Sequence, residues 1–453
     1  MTNLLAARSQ MAMSLGFHIV FAAIGIAMPL LMTIAEWRWQ RTGDAVYLDL
    51  AKRWSRGAAI LFAVGAVSGT VLSFELGLLW PRFMNEAGAI IGMPFSLEGF
   101  AFFTEAIFLG IYLYGWNRVS PRAHLAAGAV VALSGAVSGI FVVIANAWMN
   151  TPAGFRLVNG VPTDIDPLAA MANPAAFAEV LHMTIAAYAA TGMAVAGIHA
   201  IMLRRDAAST FHRHALAVAL VMAVPAAIVQ PLAGDVSARM VAHWQPVKLA
   251  ALEGQWETMR GAPLRIGGIP DEATQTTRWA IEIPHGLSLL AFHDPNAEVR
   301  GLDAVPRGDR PPVLPVHVSF QIMVGLGTYM ALVALWCAVV AWRGHRGGNA
   351  IDAIVRTRSL LLALGIATPM GFLAVEAGWV VTEVGRQPWI VSNVLRTRDA
   401  VTPMPGLAVP FVGFTLLYVA LAAIVTVLLY RQIVRTPHEE AKHARQLPLD
   451  SHT

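Results

Sequence analysis

SLEGFAFFTEAIFLGIYLYGW, residues 96–116, is apolar for long enough to cross a bilayer, yet it carries two glutamates, Glu98 and Glu105. A helix needs about 20 apolar residues to span a ~30 Å hydrocarbon core. Working outward from this stretch, eight more of the same kind appear, so that the nine run over 13–35, 57–80, 95–116, 124–146, 177–203, 215–235, 318–342, 359–380 and 407–430. The composition agrees. Of 453 residues, 56% are hydrophobic and 13% charged, against about 25% charged in an ordinary soluble domain. The sequence therefore predicts an all-α integral membrane protein of about nine transmembrane helices.

The basic residues orient it. With the N-terminus outside, eighteen of the 32 Lys and Arg fall in inside segments, six in short outside segments, and the rest in one long loop where the rule is weak. An outside N-terminus and a cytoplasmic C-terminus follow. The expected organisation is helices one to six in 1–235, an extracytoplasmic loop over 236–317, helices seven to nine in 318–430, and a cytoplasmic tail over 431–453. The net charge of +4 reports this topology and gives no support to nucleic-acid binding. Cys337 is the only cysteine, which excludes an intrachain disulfide and a cysteine-bound metal cluster.

Ionisable residues inside a membrane helix cost several kcal/mol unless paired, hydrated or bound, which makes each a functional candidate. His18 lies in MSLGFHIVFAAIG, either as a packing residue or as a ligand. His182 lies in FAEVLHMTIAAYAATG, whose many small residues suit either close helix packing or a flat macrocycle. Met323 gains meaning only if a histidine stands opposite, since His and Met form an axial pair for low-spin haem. Glu98 and Glu105 are seven apart and share a helix face. They suit a proton path, or serve as structural carboxylates bonded to hydroxyls. Ser134 and Ser138 in the next stretch offer such hydroxyls. Glu75, His199, Asp235 and Glu376 complete the intramembrane set, and Glu383 sits in WVVTEVGRQPW (379–389) beside Arg386 and Trp389. The loop contributes KLAALEGQWET (248–258), with Lys248 and Glu253, and its length suits a lid over an amphipathic headgroup.

Taken together, GFH (16–18), SFELG (73–77), the 98–116 block, NAWMNTPAG (146–154), VLHMTIAAY (180–188), GD (234–235), KLAALEGQWET, FQIMVGLG (320–327) and EVGRQPW (383–389) resemble subunit I of the cytochrome bd-type quinol oxidases, in order and over nearly the whole chain. The resemblance implies a bacterial inner-membrane enzyme that oxidises quinol and reduces O2 to water, contributing to a proton gradient. It implies a low-spin haem b, a high-spin haem b, and a haem d or a further haem b in its place. By position, His182 and Met323 match the low-spin axial pair, and His18 and Glu383 match ligands of the two high-spin haems, with the b or d assignment open. Arg386 and Trp389 fall beside the Glu383 haem. Glu98 matches a residue near that same centre, and Glu105 with Ser138 the proton path. Lys248 and Glu253, with Asp235, match the quinol side. A second membrane subunit is implied as partner, often joined by a small single-helix one.

Two features depart from many relatives. Gln321 stands where they have Arg, and the loop is short, as in the branch that includes cyanide-insensitive oxidases. Other functions compatible with these residues are a haem b quinol dehydrogenase without O2 chemistry and a proton-coupled transporter relaying through Glu98, Glu105 and Asp235. No internal symmetry of the transporter kind is visible.

Overall fold

Most of each of the nine apolar stretches is helical in the computed structural model, which describes residues 1–346 and 349–431. Among the described residues nine helices are long and apolar enough to cross a membrane: span 1 (Asn3–Thr42), span 2 (Ala45–Leu79), span 3 (Pro81–Tyr114), span 4 (Pro121–Asn150), span 5 (Ala176–Arg205), span 6 (Thr210–Trp244), span 7 (Val313–Arg346), span 8 (Arg358–Val384) and span 9 (Ala408–Tyr430).

Most overrun the expected limits. Span 6 continues through Asp235 to Trp244, and span 7 begins at Val313, so the loop shrinks from 236–317 to 245–312. Apolar length marks only the part of a helix that lipid must cover. Beyond it the backbone keeps its own hydrogen bonds, and the helix runs on until a cap stops it. Span 1 has 40 residues, or about 60 Å at 1.5 Å per residue, roughly twice the hydrocarbon thickness. Its ends are set by Thr2, whose side chain accepts from Leu5 N, and by Gly43 in the left-handed region. Asp44, Ser120 and Ser209 cap spans 2, 4 and 6 in the same way. Span 8 breaks between Ala367 and Met370, where Pro369 has no N–H to continue the ladder. Beyond Arg431, the tail expected over 431–453 lies outside the described residues.

Spans pack mainly as sequential pairs, 1 with 2, 3 with 4, 5 with 6 and 7 with 8. Span 5 is central, with 56% of its most apolar window buried, against 11% for spans 2 and 9. Its small residues are there for packing: a Cβ on Gly192 would come within 2.9 Å of the Ala223 backbone in span 6, and one on Gly197 within 2.5 Å of Leu364 O in span 8. The close-packing reading of that stripe holds at these positions.

The loop contains what the sequence reading lacked, short β-ladders. Met259–Arg260 pairs with Glu298–Val299, Leu264–Ile266 with Ile281–Ile283, and Ile269–Asp271 with Thr276–Arg278, each antiparallel and nested within the last. A loop helix, Pro246–Glu253, leads in from span 6 and ends at Gly254, φ 58°. Span 7 holds the loop down through His317, whose Nδ1 and Nε2 face Leu252 O and Gly267 O at 2.7 and 3.0 Å.

Candidate functional site

The candidate residues fall into four neighbourhoods, three at the loop end of the bundle and one deeper. His18 faces span 2. Its Nδ1 lies 3.0 Å from Ser68 Oγ, and that hydroxyl can give its one proton to Val64 O or Gly65 O, at 2.9 and 3.1 Å. When it does, Ser68 accepts from His18 Nδ1–H, and Nε2 keeps a free lone pair. A partner that fixes the tautomer in this way is the usual support of a metal-bound histidine. Around His18, Gln10 Nε2 donates to Glu75 Oε1 at 2.9 Å. A Cβ on Gly16 would lie 3.3 Å from Glu376 Oε2, which brings span 8 to the same place.

His182 and Met323 stand on separate walls within spans 5 to 8. The Gln230 amide of span 6 donates to His182 O and lies 3.2 Å from Nδ1. Gly234 flanks the ring, its added Cβ falling 3.6 Å from Cε1. Met323 Sδ meets span 8 at Gly378, where a Cβ would come within 3.1 Å of the sulfur. Gln321, two residues before Met323, is turned to the loop: it donates to Arg265 O and accepts from Gly267 N, at 3.0 and 2.9 Å. Gln321 is here a tether between span 7 and the loop.

Glu383, near the C-terminal end of span 8, accepts from Asn146 Nδ2 at 2.5 Å on one oxygen and from Arg386 Nη2 at 2.5 Å on the other. Arg386 is only 4% exposed, and its Nε and Nη1 have no protein partner. Trp379 Nε1 is likewise buried and unpartnered. Leaving buried donors unmet costs about 1–3 kcal/mol each, more for a charged group. An anionic acceptor such as a haem propionate would satisfy the guanidinium, and each Glu383 oxygen retains a second lone pair that a metal could use. The donor set fits the group that the resemblance implies. Trp389 is less free than expected, since it lies in a strand with Arg396 stacked 4.5 Å above its ring.

The deeper neighbourhood is the carboxylate face of span 3. Ser138 Oγ donates to Glu98 Oε1 at 3.2 Å. Glu105 is buried against Gly135, where a Cβ would lie 3.2 Å from Oε1 and 3.1 Å from Gly25 O. That carbonyl has lost its helical partner because Pro29 has no N–H. A small cavity beside Glu105 is lined by Ile24, Gly25, Met28, Pro29 and Val131. Ser134 donates to its own helix at Val130 O.

Of the three residues matched to the quinol side, Lys248 and Glu253 sit on the loop helix and Asp235 does not. Asp235 lies within span 6, paired with Arg239 at 2.6 Å. Lys248 is 6% exposed and Glu253 3%. Burial pulls the Lys248 ammonium down to about 8, with Arg386 adding to the fall and Glu179 and Glu383 opposing it. Burial pushes the Glu253 carboxyl up to about 7, with Arg265 opposing.

Several contributing residues escaped the sequence reading. Asn146 and Asn150 lie in a quoted motif but are neutral, and a search for ionisable groups passes over them. A buried pair at the other end of the bundle, Glu36 with His124 Nδ1 at 2.9 Å, sits at the margins of the apolar runs 13–35 and 124–146. His199 bonds His212 Nδ1 at 2.9 Å and packs near Trp54, outside all four neighbourhoods.

Residues 6–437 match the family model described as cytochrome bd terminal oxidase subunit I. A protein of Bacillus subtilis (strain 168), provisionally named cytochrome bd menaquinol oxidase subunit I, is 38% identical over 95% of this chain and 96% of its own length. The cytochrome bd ubiquinol oxidase subunit 1 of the same organism is 30% identical, over 98% of this chain and 96% of its own. A chain in the solved structure of bd oxidase from Geobacillus thermodenitrificans superposes with a TM-score of 0.88 at 38% identity, over 96% of this chain and 99% of that one.

Proposed function

The chain belongs to the cytochrome bd terminal oxidase subunit I family, and from that premise we propose how its residues divide the reaction. As a multi-pass protein of the bacterial cytoplasmic membrane it is the haem-bearing subunit of a terminal oxidase and works with a partner membrane subunit. Two quinols give four electrons and four protons, O2 takes four of each, and the products are two quinones and two waters. The haems supply one-electron transfer and O2 reduction; the protein supplies ligands, orientation, electrostatics and proton traffic.

His182 and Met323 would hold the low-spin haem b, with Gln230 and Gly378 keeping their side chains in place. His18, with Ser68 beside its Nδ1, and Glu383, with Asn146 and Arg386, would each hold the iron of a high-spin haem. One of these is a haem b and the other a haem d or a second b. Arg386 would receive an anionic edge of the haem held by Glu383. The observation that carries this assignment is the buried Arg386, with one donor on Glu383 and two without a protein partner.

Quinol is oxidised beneath the loop 245–312, which an outside N-terminus places on the outer face. Glu253, with burial raising its carboxyl to about 7, is suited to take and release a proton near neutral pH. Protons for water come from the opposite face through Glu105, then Glu98 and Ser138. Quinol protons released outside and water protons drawn from inside both build the gradient. The least covered spans, 2 and 9, are where the partner subunit and lipid lie, with a small single-helix subunit as a further neighbour.

The test is pigment extraction and spectroscopy on the purified oxidase with quinol-driven O2 consumption. Low-spin and high-spin bands, the latter shifted by CO, are expected. A sample with low-spin bands alone and no response to CO refutes the high-spin assignments to His18 and Glu383.

A further inference from the structure

The motifs KLAALEGQWET and EVGRQPW lie more than 120 residues apart, and the fold interlocks them. The aliphatic stem of Lys248 passes against Gly385, where a Cβ would come within 3.1 Å of Lys248 Cγ. The absence of a side chain there leaves the ammonium a route to span 4. Lys248 Nζ donates to Asn150 Oδ1 at 2.5 Å, Asn150 Nδ2 donates to Asn146 Oδ1 at 3.1 Å, and Asn146 Nδ2 donates to Glu383 Oε1 at 2.5 Å. The chain has a fixed direction. An ammonium only donates, a carboxylate only accepts, and each amide between them receives on oxygen and gives from nitrogen. Asn146 and Asn150 are four residues apart, one above the other on a single helix face. Lys248 and Glu253 are five apart, about 140° around the loop helix. Lys248 thus faces the bundle while Glu253 faces Arg265 and the loop.

We infer that Asn150 and Asn146 are positioning residues for the Glu383 carboxylate, and that through them Lys248 serves the high-spin haem rather than the quinol headgroup. The inference rests on Glu383 being a haem ligand. A carboxylate that accepts from Asn146, polarised in turn by a cation, gives less electron density to iron. Breaking the chain makes Glu383 a stronger donor and favours the ferric state.

The experiment is a spectroelectrochemical titration of the purified oxidase carrying Lys248→Met, Asn150→Leu, or both, with low-spin haem content as the control for folding. Each single variant should lower the midpoint potential of the high-spin haem by an amount equivalent to about a tenfold shift toward ferric (about 59 mV for one electron). The low-spin potential should stay where it is, and the double variant should add little to either single. Asn150→Leu should leave the KM for quinol unchanged. If Asn150→Leu fails to assemble, Asn150→Asp keeps the acceptor for Lys248 but loses the amide donor to Asn146, and should reproduce the shift. An unshifted high-spin potential, or fully additive effects, overturns the inference. Glu383→Ala separates the two levels: retention of every high-spin signal refutes the ligand reading and the chain with it. Loss of a high-spin haem, combined with an unshifted Asn150→Leu, refutes the chain alone.

Discussion

Gly378 and Glu383 are five residues apart on the same helix of span 8, yet the sites they serve are built by opposite means. The Met323 site is neutral. A thioether rests against a glycine, the imidazole has a glutamine amide beside it, and the shape of the walls does the positioning. The Glu383 site is charged. Its carboxylate is gripped by Arg386 and by an asparagine chain that begins at Lys248, and Glu179 adds a second anion to the group. A soft, uncharged ligand in a membrane protein needs only space and contact. A hard, anionic one carries a desolvation cost of several kcal/mol, which neighbouring cations and donors must offset. Changes of shape should therefore damage the first site, and changes of charge the second.

The largest effects break each site outright. His182→Ala or Met323→Leu should remove the low-spin band while the CO-reactive bands persist. An unchanged low-spin spectrum in either would show that the pair is wrongly assigned. Gly378→Val sharpens the comparison: it alters no charge, but it puts carbon within 3.1 Å of the Met323 sulfur, and it should weaken the low-spin site alone. Next comes Glu105→Gln, expected to slow O2 consumption about 100-fold, in the range for loss of a proton-transfer group, with haem content intact. Turnover equal to wild type would remove Glu105 from the proton path.

The difference between the two sites also explains what could be read from the sequence. Nine spans were legible because lipid demands long apolar runs, and among the described residues their number was right although their ends were not. The polar turns of span 6 beyond Asp235 are held by backbone hydrogen bonds that leave no mark in hydropathy. His182, Glu98 and Glu383 stood out because charge or imidazole inside such a run is costly. The groups that position them did not. Asn146, Asn150, Ser68 and Gln230 are neutral and common, and only the packing of one helix on another gives them partners. The use of Gly385 in GRQPW, passage for the Lys248 stem, depends on a helix more than 120 residues away. The loop's nested ladders were missed because strands of two or three residues carry no usable alternation.

The smallest expected effect tests the boundary between the charged site and the loop. Glu253 has its carboxyl raised from 4.5 to about 7 by burial, so the folded loop favours the protonated form. That contribution is complete below about pH 4.5 and is lost as pH rises through about 7, a change of about 3 kcal/mol. Lys248 does not interfere in this window. Its ammonium is lowered only to about 8, so it is protonated in both folded and opened states below that pH. Hydrogen-exchange protection of the segment around Gly254 and Gln255, corrected for the intrinsic pH dependence of exchange, should therefore fall between pH 5 and pH 8. In Glu253→Gln, which keeps the shape and cannot ionise, it should stay nearly level. An equal fall in both proteins would mean that another group sets the loop's pH response, and Glu253 would lose its claim to titrate at the quinol site.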